Sequence, residues 1–501
     1  MKQAAPVKGF VAALLAAVLT LSGCHDAGRK QYGSGNAGAW DDYAPYTADL
    51  ADSSLLRNDR SLRASPVYHL KISVSDDLRS LDGDLEVRYT NDAPNSLGTI
   101  DFLLYPNLIT GSMRVDGVTA DGESCGTELL NRDTLMRVEL PEPLAAGARA
   151  VIRLSFHADI PGGDLVGFGG FGYSNGVLSM GYDYPVIPAG GRWEDGTPPA
   201  WGDLTANPTA FYLCDVSFPT GLVLAAPGAE LRRVRNGVRT NVLFAHGPAR
   251  DLFFALGKSF EERSLSSNGI RIRSFANVEV APQAELLMQE AARAVADFSR
   301  RFGPYPYKSL TFVQARLDAF GLEFPGMIVL APWLYGDPEK RADGLRLGTL
   351  LEATAVHETG HQWFYALVGN NQLEEPWIDE SLAQLATWYY YLDTQGIGAA
   401  DAIERSFKAR WQRVDNAEIP LGLPVRNYTP KQYSSIIYGR GPLFFLTLRN
   451  DIGADAFDRF LREIVRRFRW QVVTGADLRL AAAKAAGRSL DALWNSWIYP
   501  Q

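Results

Sequence analysis

The residues with the clearest chemical potential in this chain are His357, Glu358 and His361, in the run His357-Glu358-Thr359-Gly360-His361, and Glu380, which follows after eighteen intervening residues. On a helix, residues four apart share a face, so the two imidazoles can point at one ion with Glu358 beside them. A hydrolytic zinc takes three nitrogen, sulfur or oxygen ligands from the protein and keeps one position for water. Glu380 has the spacing to be the third ligand. Zinc in such a site polarises a carbonyl and brings the pKa of bound water to about 7, and Glu358 is placed to take the water proton and hand it to a leaving amine. The chain has only six histidines, His25, His69, His157, His246, His357 and His361. Two of six at this spacing around a glutamate argue for a metal site over an ordinary helix.

The elements that must position these groups read as helices. Leu351 to Leu367 carries Ala353, Val356, Phe364 and Leu367 near helical spacing, and Gly369-Asn370-Asn371 supplies a stop. No third histidine follows His361 at the near position that an all-histidine site requires, so a carboxylate must complete the set. Pro376 opens a second helix, with Ile378, Leu382, Leu385 and Trp388 on its buried face and Glu380 in its first turns. Running antiparallel to the first, it returns Glu380 towards the histidines. Glu374 and Glu375 are expected to be solvated in the connection, and Asp379 to orient an imidazole from behind.

Set in His-Glu-Thr-Gly-His-Gln-Trp-Phe and Trp-Ile-Asp-Glu-Ser-Leu-Ala, these residues resemble the gluzincin M1 family of zinc metallo-aminopeptidases. Upstream, Phe320-Gly321-Leu322-Glu323-Phe324-Pro325-Gly326 is similar to the family's Gly-x-Met-Glu-Asn segment. Glu323, with Gly321 in the same stretch, takes the place of the glutamate that holds a substrate's amino terminus. Phe320, Leu322 and Phe324 depart from the pattern, which bears on the pocket next to the scissile bond. Downstream, Tyr438-Gly439-Arg440-Gly441 is similar to Tyr-x-Lys-Gly. Tyr438 would then donate to the forming oxyanion, an effect worth roughly two to three orders of magnitude in rate. The resemblance, weaker outside these motifs, extends from about residue 60 to the end. It implies one Zn2+ per chain on His357, His361 and Glu380, catalysis by Glu358 and Tyr438, and peptides trimmed one residue at a time from a free amino end. Larger relatives continue into a helical domain roofing the site. This sequence stops soon after Trp497, so a more open cleft is expected.

At 501 residues the chain exceeds the size at which one core stops growing. Residues 61–262 read as β-rich. Tyr68 to Val74, Leu85 to Tyr89 and Val151 to Phe156 alternate apolar and polar residues between turn clusters, and the Pro-, Gly- and Trp-rich stretch from Pro185 to Asp203 reads as a long loop near the site. In residues 263–501, strands at Ile270 to Ser274, Leu310 to Ala315 and Gly326 to Leu330 give way to the longer period of helices, first at Ala284 to Phe302 and then from Leu345 onward. The expected fold class is multidomain: an N-terminal all-β domain followed by an α+β, thermolysin-like, mainly helical catalytic domain. A net charge of −8 without any dense basic run gives no support for nucleic-acid binding.

The amino terminus reads as an address. Lys2 and Lys8 precede an apolar stretch from Gly9 to Leu21, too short to span a membrane comfortably, and Leu21-Ser22-Gly23-Cys24 resembles the lipobox of bacterial lipoproteins. Residues 1–23 are thus expected to be a signal peptide, Cys24 an acylated anchor in the cell envelope, and 24–60 a polar tether, with the outer membrane favoured because His25 rather than Asp follows Cys24. A monomer is expected. Cys125 and Cys214 remain, and sequence leaves their pairing open. The competing functional readings are a gluzincin endopeptidase or epoxide hydrolase, and a non-catalytic envelope binding or assembly protein with a relic zinc site.

Overall fold

The computed structural model describes residues 42–499 apart from 58–59, 110–112, 164–169, 194–200, 204 and 343–344. The expected signal peptide and Cys24 lie outside the described residues. The first half is built on an eight-stranded sheet. Its strands are β1 (Val67–Val74), β2 (Ser80–Thr90), β3 (Arg114–Ala120), β4 (Glu123–Ser124), β5 (Arg149–Asp159), β6 (Ala210–Pro219), β7 (Ala229–Asn236) and β8 (Arg239–Ala249), in the order β7-β8-β6-β1-β2-β5-β3-β4. The alternation read in the sequence is real. Leu70, Ile72 and Val74 of β1 are buried while Lys71 and Ser73 are exposed, and Leu85 and Val87 of β2 and Leu154 and Phe156 of β5 join them inside. A four-stranded sheet contributes Leu178, Met180, Leu224, Phe254 and Leu256 to the same core.

Part of the expected tether is packed. Tyr46 and Leu50 are buried, and Leu50 bridges to Tyr307. Asp49 accepts from the Ser309 hydroxyl at 3.0 Å, and the Ala51 N–H donates to the Pro306 carbonyl at 2.8 Å. The polar composition around them hides these few apolar anchors. Cys125 and Cys214 are free thiols, Cys214 buried in β6.

The second half opens with a five-stranded sheet of β9 (Phe260–Ser267), β10 (Ile270–Asn277), β11 (Ser309–Gln314), β12 (Gly321–Leu322) and β13 (Met327–Leu330), ordered β9-β10-β11-β13-β12. Every residue of β11 and β13 is buried, as parallel neighbours covered on both faces require. Helix α1 (Ala281–Phe302) turns Ala284, Leu287, Met288, Ala291, Val295, Phe298 and Phe302 inward and ends in Arg300 and Arg301, which suit a helix C-terminus. Helix α2 (Leu347–Gly360) and helix α3 (Trp377–Gln395) follow.

Helix α2 stops at Gly360, seven residues short of Leu367, where the sequence pattern ends it. The segment from Trp363 to Val368 is buried throughout, so apolar period could not tell helix from turns. Its aromatic groups instead go separate ways: the Trp363 indole donates to the Gly303 carbonyl at 2.8 Å, and Tyr365 donates to Asp251. A Cβ on Gly360 would stand 3.1 Å from the Ala386 Cβ, so the glycine lets α2 and α3 approach closely where the ligands must meet.

Candidate metal centre

His357 and Glu358 occupy the last turn of α2, and His361 caps it while still in helical backbone geometry. The two rings stand with centroids 4.7 Å apart, nearly perpendicular, and their Nε2 atoms 3.2 Å apart. Glu380, in the first turn of α3, completes a triangle: its Oε2 lies 3.2 Å from His357 Nε2 and 3.4 Å from His361 Nε2. Ligands held 2.0–2.1 Å from a tetrahedral zinc stand about 3.3 Å from one another, so these edges fit a single ion. The expected return of Glu380 to the two histidines is thus realised.

The surroundings fit the same group. His361 Nδ1 lies 3.1 Å from the Phe364 carbonyl, which places the proton there and turns the Nε2 lone pair to the triangle. Burial pulls the His357 pKa down, keeping that ring neutral. Burial also pulls on His361, but Glu323, Glu380 and Glu358 outweigh it and hold its pKa well above normal, a sign that this point calls for positive charge. Burial alone would raise Glu380, yet its contacts with the two imidazoles leave its pKa depressed, so it stays a carboxylate ligand. Glu358 is pushed well above the ordinary range by burial and by Glu323, and its buried Oε2 has no partner among the described residues. That is a base with a free lone pair beside the metal position.

Two expectations need correction. Asp379 bonds no imidazole: it accepts from Asn370 Nδ2 at 3.0 Å, from Gln372 Nε2 at 2.8 Å and from the Glu380 N–H at 2.9 Å, so it fixes the backbone of the third ligand instead. Nor are Glu374 and Glu375 simply solvated. Glu374 pairs with Arg426, and Glu375 accepts from the Gly475 N–H at 2.9 Å, tying the connection to helices downstream.

Glu323 follows β12 and is buried beside the ligands. Burial raises its pKa to about 7, against the pull of His361. Gly321 is required by proximity: a Cβ there would lie 2.4 Å from Glu358 Oε1. Gln362, next to a ligand, holds this stretch to the metal helix by accepting from the Gly326 N–H at 2.8 Å and donating to the Phe324 carbonyl at 3.2 Å. Sequence reasoning missed Gln362, although a glutamine buried beside a ligand was a usable hint.

Asp203 was missed as well. It is 8 % exposed, and ligand-capable oxygens of Asp203, Glu323 and Asp379 lie within 4.8 Å of one another. Burial raises its pKa well above normal, and Glu323 adds to this. Thr205 extends the connection, donating to Gln372 Oε1 at 2.5 Å while Gln372 donates to Glu323 Oε1 at 3.2 Å. Among the described residues no lysine or arginine forms an ion pair with Asp203 or Glu323. One acid in a Pro- and Gly-rich loop carries no periodic signal, so only the fold reveals it.

Tyr438 sits on a π-helical turn, Ile436–Arg440, a distortion that often re-aims a side chain at a functional site. Its hydroxyl donates to Glu380 Oε1, and its ring lies 6.2 Å from that of His357. Arg440, in place of the lysine of the resembled motif, is a tie and not a site residue. It is buried, donates to the carbonyls of Ile419, Ser496 and Trp497 at 2.7–3.1 Å, and stacks over the Trp497 ring at 4.5 Å.

Two histidines and a glutamate on consecutive helices beside a small mixed sheet could together hold one metal ion. Residues 287–497 match the Peptidase family M1 domain. It is 23 % identical over 314 residues to Aminopeptidase M1 of Arabidopsis thaliana, covering 60 % of this chain and 35 % of the relative. It is 26 % identical over 234 residues to Aminopeptidase B of Mus musculus, covering 42 % and 34 %. The chain spans about a third of the length of these curated relatives. The crystal structure of an M1 zinc metallopeptidase from Deinococcus radiodurans is similar in fold, with a TM-score of 0.65, 20 % identity, and coverage of 87 % of this chain and 94 % of the other.

Proposed function

We propose that this chain is a zinc-dependent aminopeptidase that removes residues one at a time from the free amino end of peptides, with one Zn2+ on His357, His361 and Glu380. The observation that carries this reading is the juxtaposition of the ligand triangle with two buried carboxylates, Glu323 and Asp203, that form no ion pair with a lysine or arginine among the described residues. Buried acids without a counter-charge are costly, and a peptide's terminal ammonium supplies that charge at a fixed distance from its first peptide bond. When bound, zinc supplies Lewis acidity and an acidified water.

The chain's own residues do the rest. Glu323 and Asp203 hold the ammonium and so fix which bond is presented. Glu358 receives a proton from the attacking water and delivers it to the departing amine, and its burial favours holding that proton between the two steps. Tyr438 donates its hydroxyl hydrogen to the oxygen that gains charge. Gly321 leaves room for Glu358 to reach the bond.

The test is hydrolysis of matched peptides with free and acetylated amino ends, with product ends sequenced, in the presence and absence of chelator. Free peptides should shorten by one residue per step and acetylated ones should persist. Equal cleavage of both would favour the endopeptidase, and an inert zinc-loaded chain the binding-protein reading. We further propose a lipid anchor at Cys24 holding the enzyme in a bacterial envelope, supported by the leader that ends Leu21-Ser22-Gly23-Cys24. Radiolabelled palmitate should enter the wild-type chain and be lost in Cys24→Ser; equal labelling of both would reject the anchor.

A further inference from the structure

Phe320 and Trp333 form an exposed aromatic pair beside the site. They are 41 % and 40 % exposed, with rings edge to face and centroids 5.0 Å apart. A single exposed apolar side chain is ordinary, but two contiguous aromatic rings held in water are informative. Their placement matters more than their exposure. Phe320 leads directly into β12, the edge strand of the five-stranded sheet, and its carbonyl accepts from the Ala331 N–H at 3.0 Å on the inner side. Trp333 rides on the short turn Pro332–Tyr335 just after β13, the partner of β12. Among the described residues no strand pairs with the outer side of β12, the edge to which an extended peptide would add.

The order along this edge is fixed by the residues already placed. Glu323 lies at one end, Gly321 abuts Glu358 in the middle, and Phe320 stands at the other end. A peptide laid antiparallel along the edge, its ammonium at Glu323, advances about 3.4 Å per residue. It passes Glu358 and reaches Phe320 within about 10 Å, two or three residues from its start. The side chain opposite Phe320 points to the same face as the Phe320 ring.

We propose that Phe320 and Trp333 form an apolar shelf that selects peptides with an aromatic or large aliphatic side chain at the second or third residue, on the leaving side of the scissile bond. This makes the departure at Phe320 a specificity determinant on the leaving side of the bond. It rests on the aminopeptidase reading for the direction of the peptide, so the test uses binding and not turnover.

In the zinc-loaded Glu358→Gln chain, calorimetry would compare Leu-Phe-Ala and Leu-Ala-Phe with Leu-Ala-Ala. One aromatic peptide should bind about tenfold more tightly, in line with a ring contact plus its buried area. Adding Phe320→Ser and Trp333→Ser should bring that ratio to about one, and Phe320→Leu should keep part of it, with thermal midpoints confirming that each variant folds. Equal affinities in the parent, or an unchanged ratio in the double variant, would overturn the shelf. A chain that shows the selective binding but cuts no peptide when Glu358 is intact would instead overturn the aminopeptidase reading.

Discussion

The metal edge of the site comes from two consecutive helices, whereas the amine edge is gathered from segments far apart in the chain. His357, Glu358, His361 and Glu380 fall within twenty-four residues, and their positions follow from helical spacing, a proline start and a close crossing at Gly360. Asp203 comes from a loop of the β-rich half, Glu323 from the end of an edge strand, and Gln362 and Gln372 join them to the helices. Geometry set by local periodicity tolerates change elsewhere, but geometry assembled over long range depends on every tie between the halves. Metal retention and substrate reading should therefore fail separately.

The largest expected effect is at the metal edge. Glu358→Gln removes the base without removing a ligand, so kcat should fall by about 10²–10⁴-fold while zinc content stays at the wild-type level. If both fell together, Glu358 would belong to the metal cage and the two edges would not be separable.

Arg250 ties the two halves together. It is buried after β8 and donates to the Tyr365 carbonyl at 2.8 Å, to that of Asn207 at 3.3 Å and to that of Gln471 at 2.5 Å. Arg250→Ala strands two buried acceptors and one half-buried one and opens a cavity, which should cost about 3 kcal/mol or more in denaturant unfolding. A loss below about 1 kcal/mol would mean that the halves are held together elsewhere.

Gln362→Leu keeps the volume near the ligand but releases the Gly326 and Phe324 backbone groups that position Glu323. KM for free-amine peptides should rise several-fold, with kcat and zinc content little changed; a fall in kcat alone would place Gln362 with the metal edge. The last effect is on stability and not on either edge of the site. Burial raises the Asp183 pKa from 3.8 to about 8, and neither carboxylate oxygen has a partner among the described residues. The native state then holds a proton that the unfolded chain has lost. Stability is full below about pH 4 and declines by at most about 1.4 kcal/mol per pH unit up to about pH 8. Asp183→Asn should flatten that decline, as seen in unfolding curves at pH 5 and pH 8, and a variant with the same slope would contradict this origin.

What the sequence could reveal follows the same division. The alternation in β1, β2 and β5, the helical period of α1 and the start of α3 at Pro376 are local signals, and each lies where it was read. The end of α2 differs from the reading because every residue from Trp363 to Val368 is buried, which leaves no polar face to mark the turns. Asp379 was given the wrong partner because its bonds go to Asn370 and Gln372, and nothing in spacing distinguishes an amide from an imidazole as its donor. Asp203 and the packed residue Leu50 stayed hidden because their partners lie more than a hundred residues away.

The most direct test is the metal content of the purified chain after dialysis against dilute zinc, measured by elemental mass spectrometry in wild type and in His361→Ala and Glu380→Ala. Wild type should hold one zinc per chain, and each variant should lose most of it while remaining folded. A wild-type chain without bound metal, or variants that keep a full equivalent, would contradict the triangle of His357, His361 and Glu380 as a zinc site.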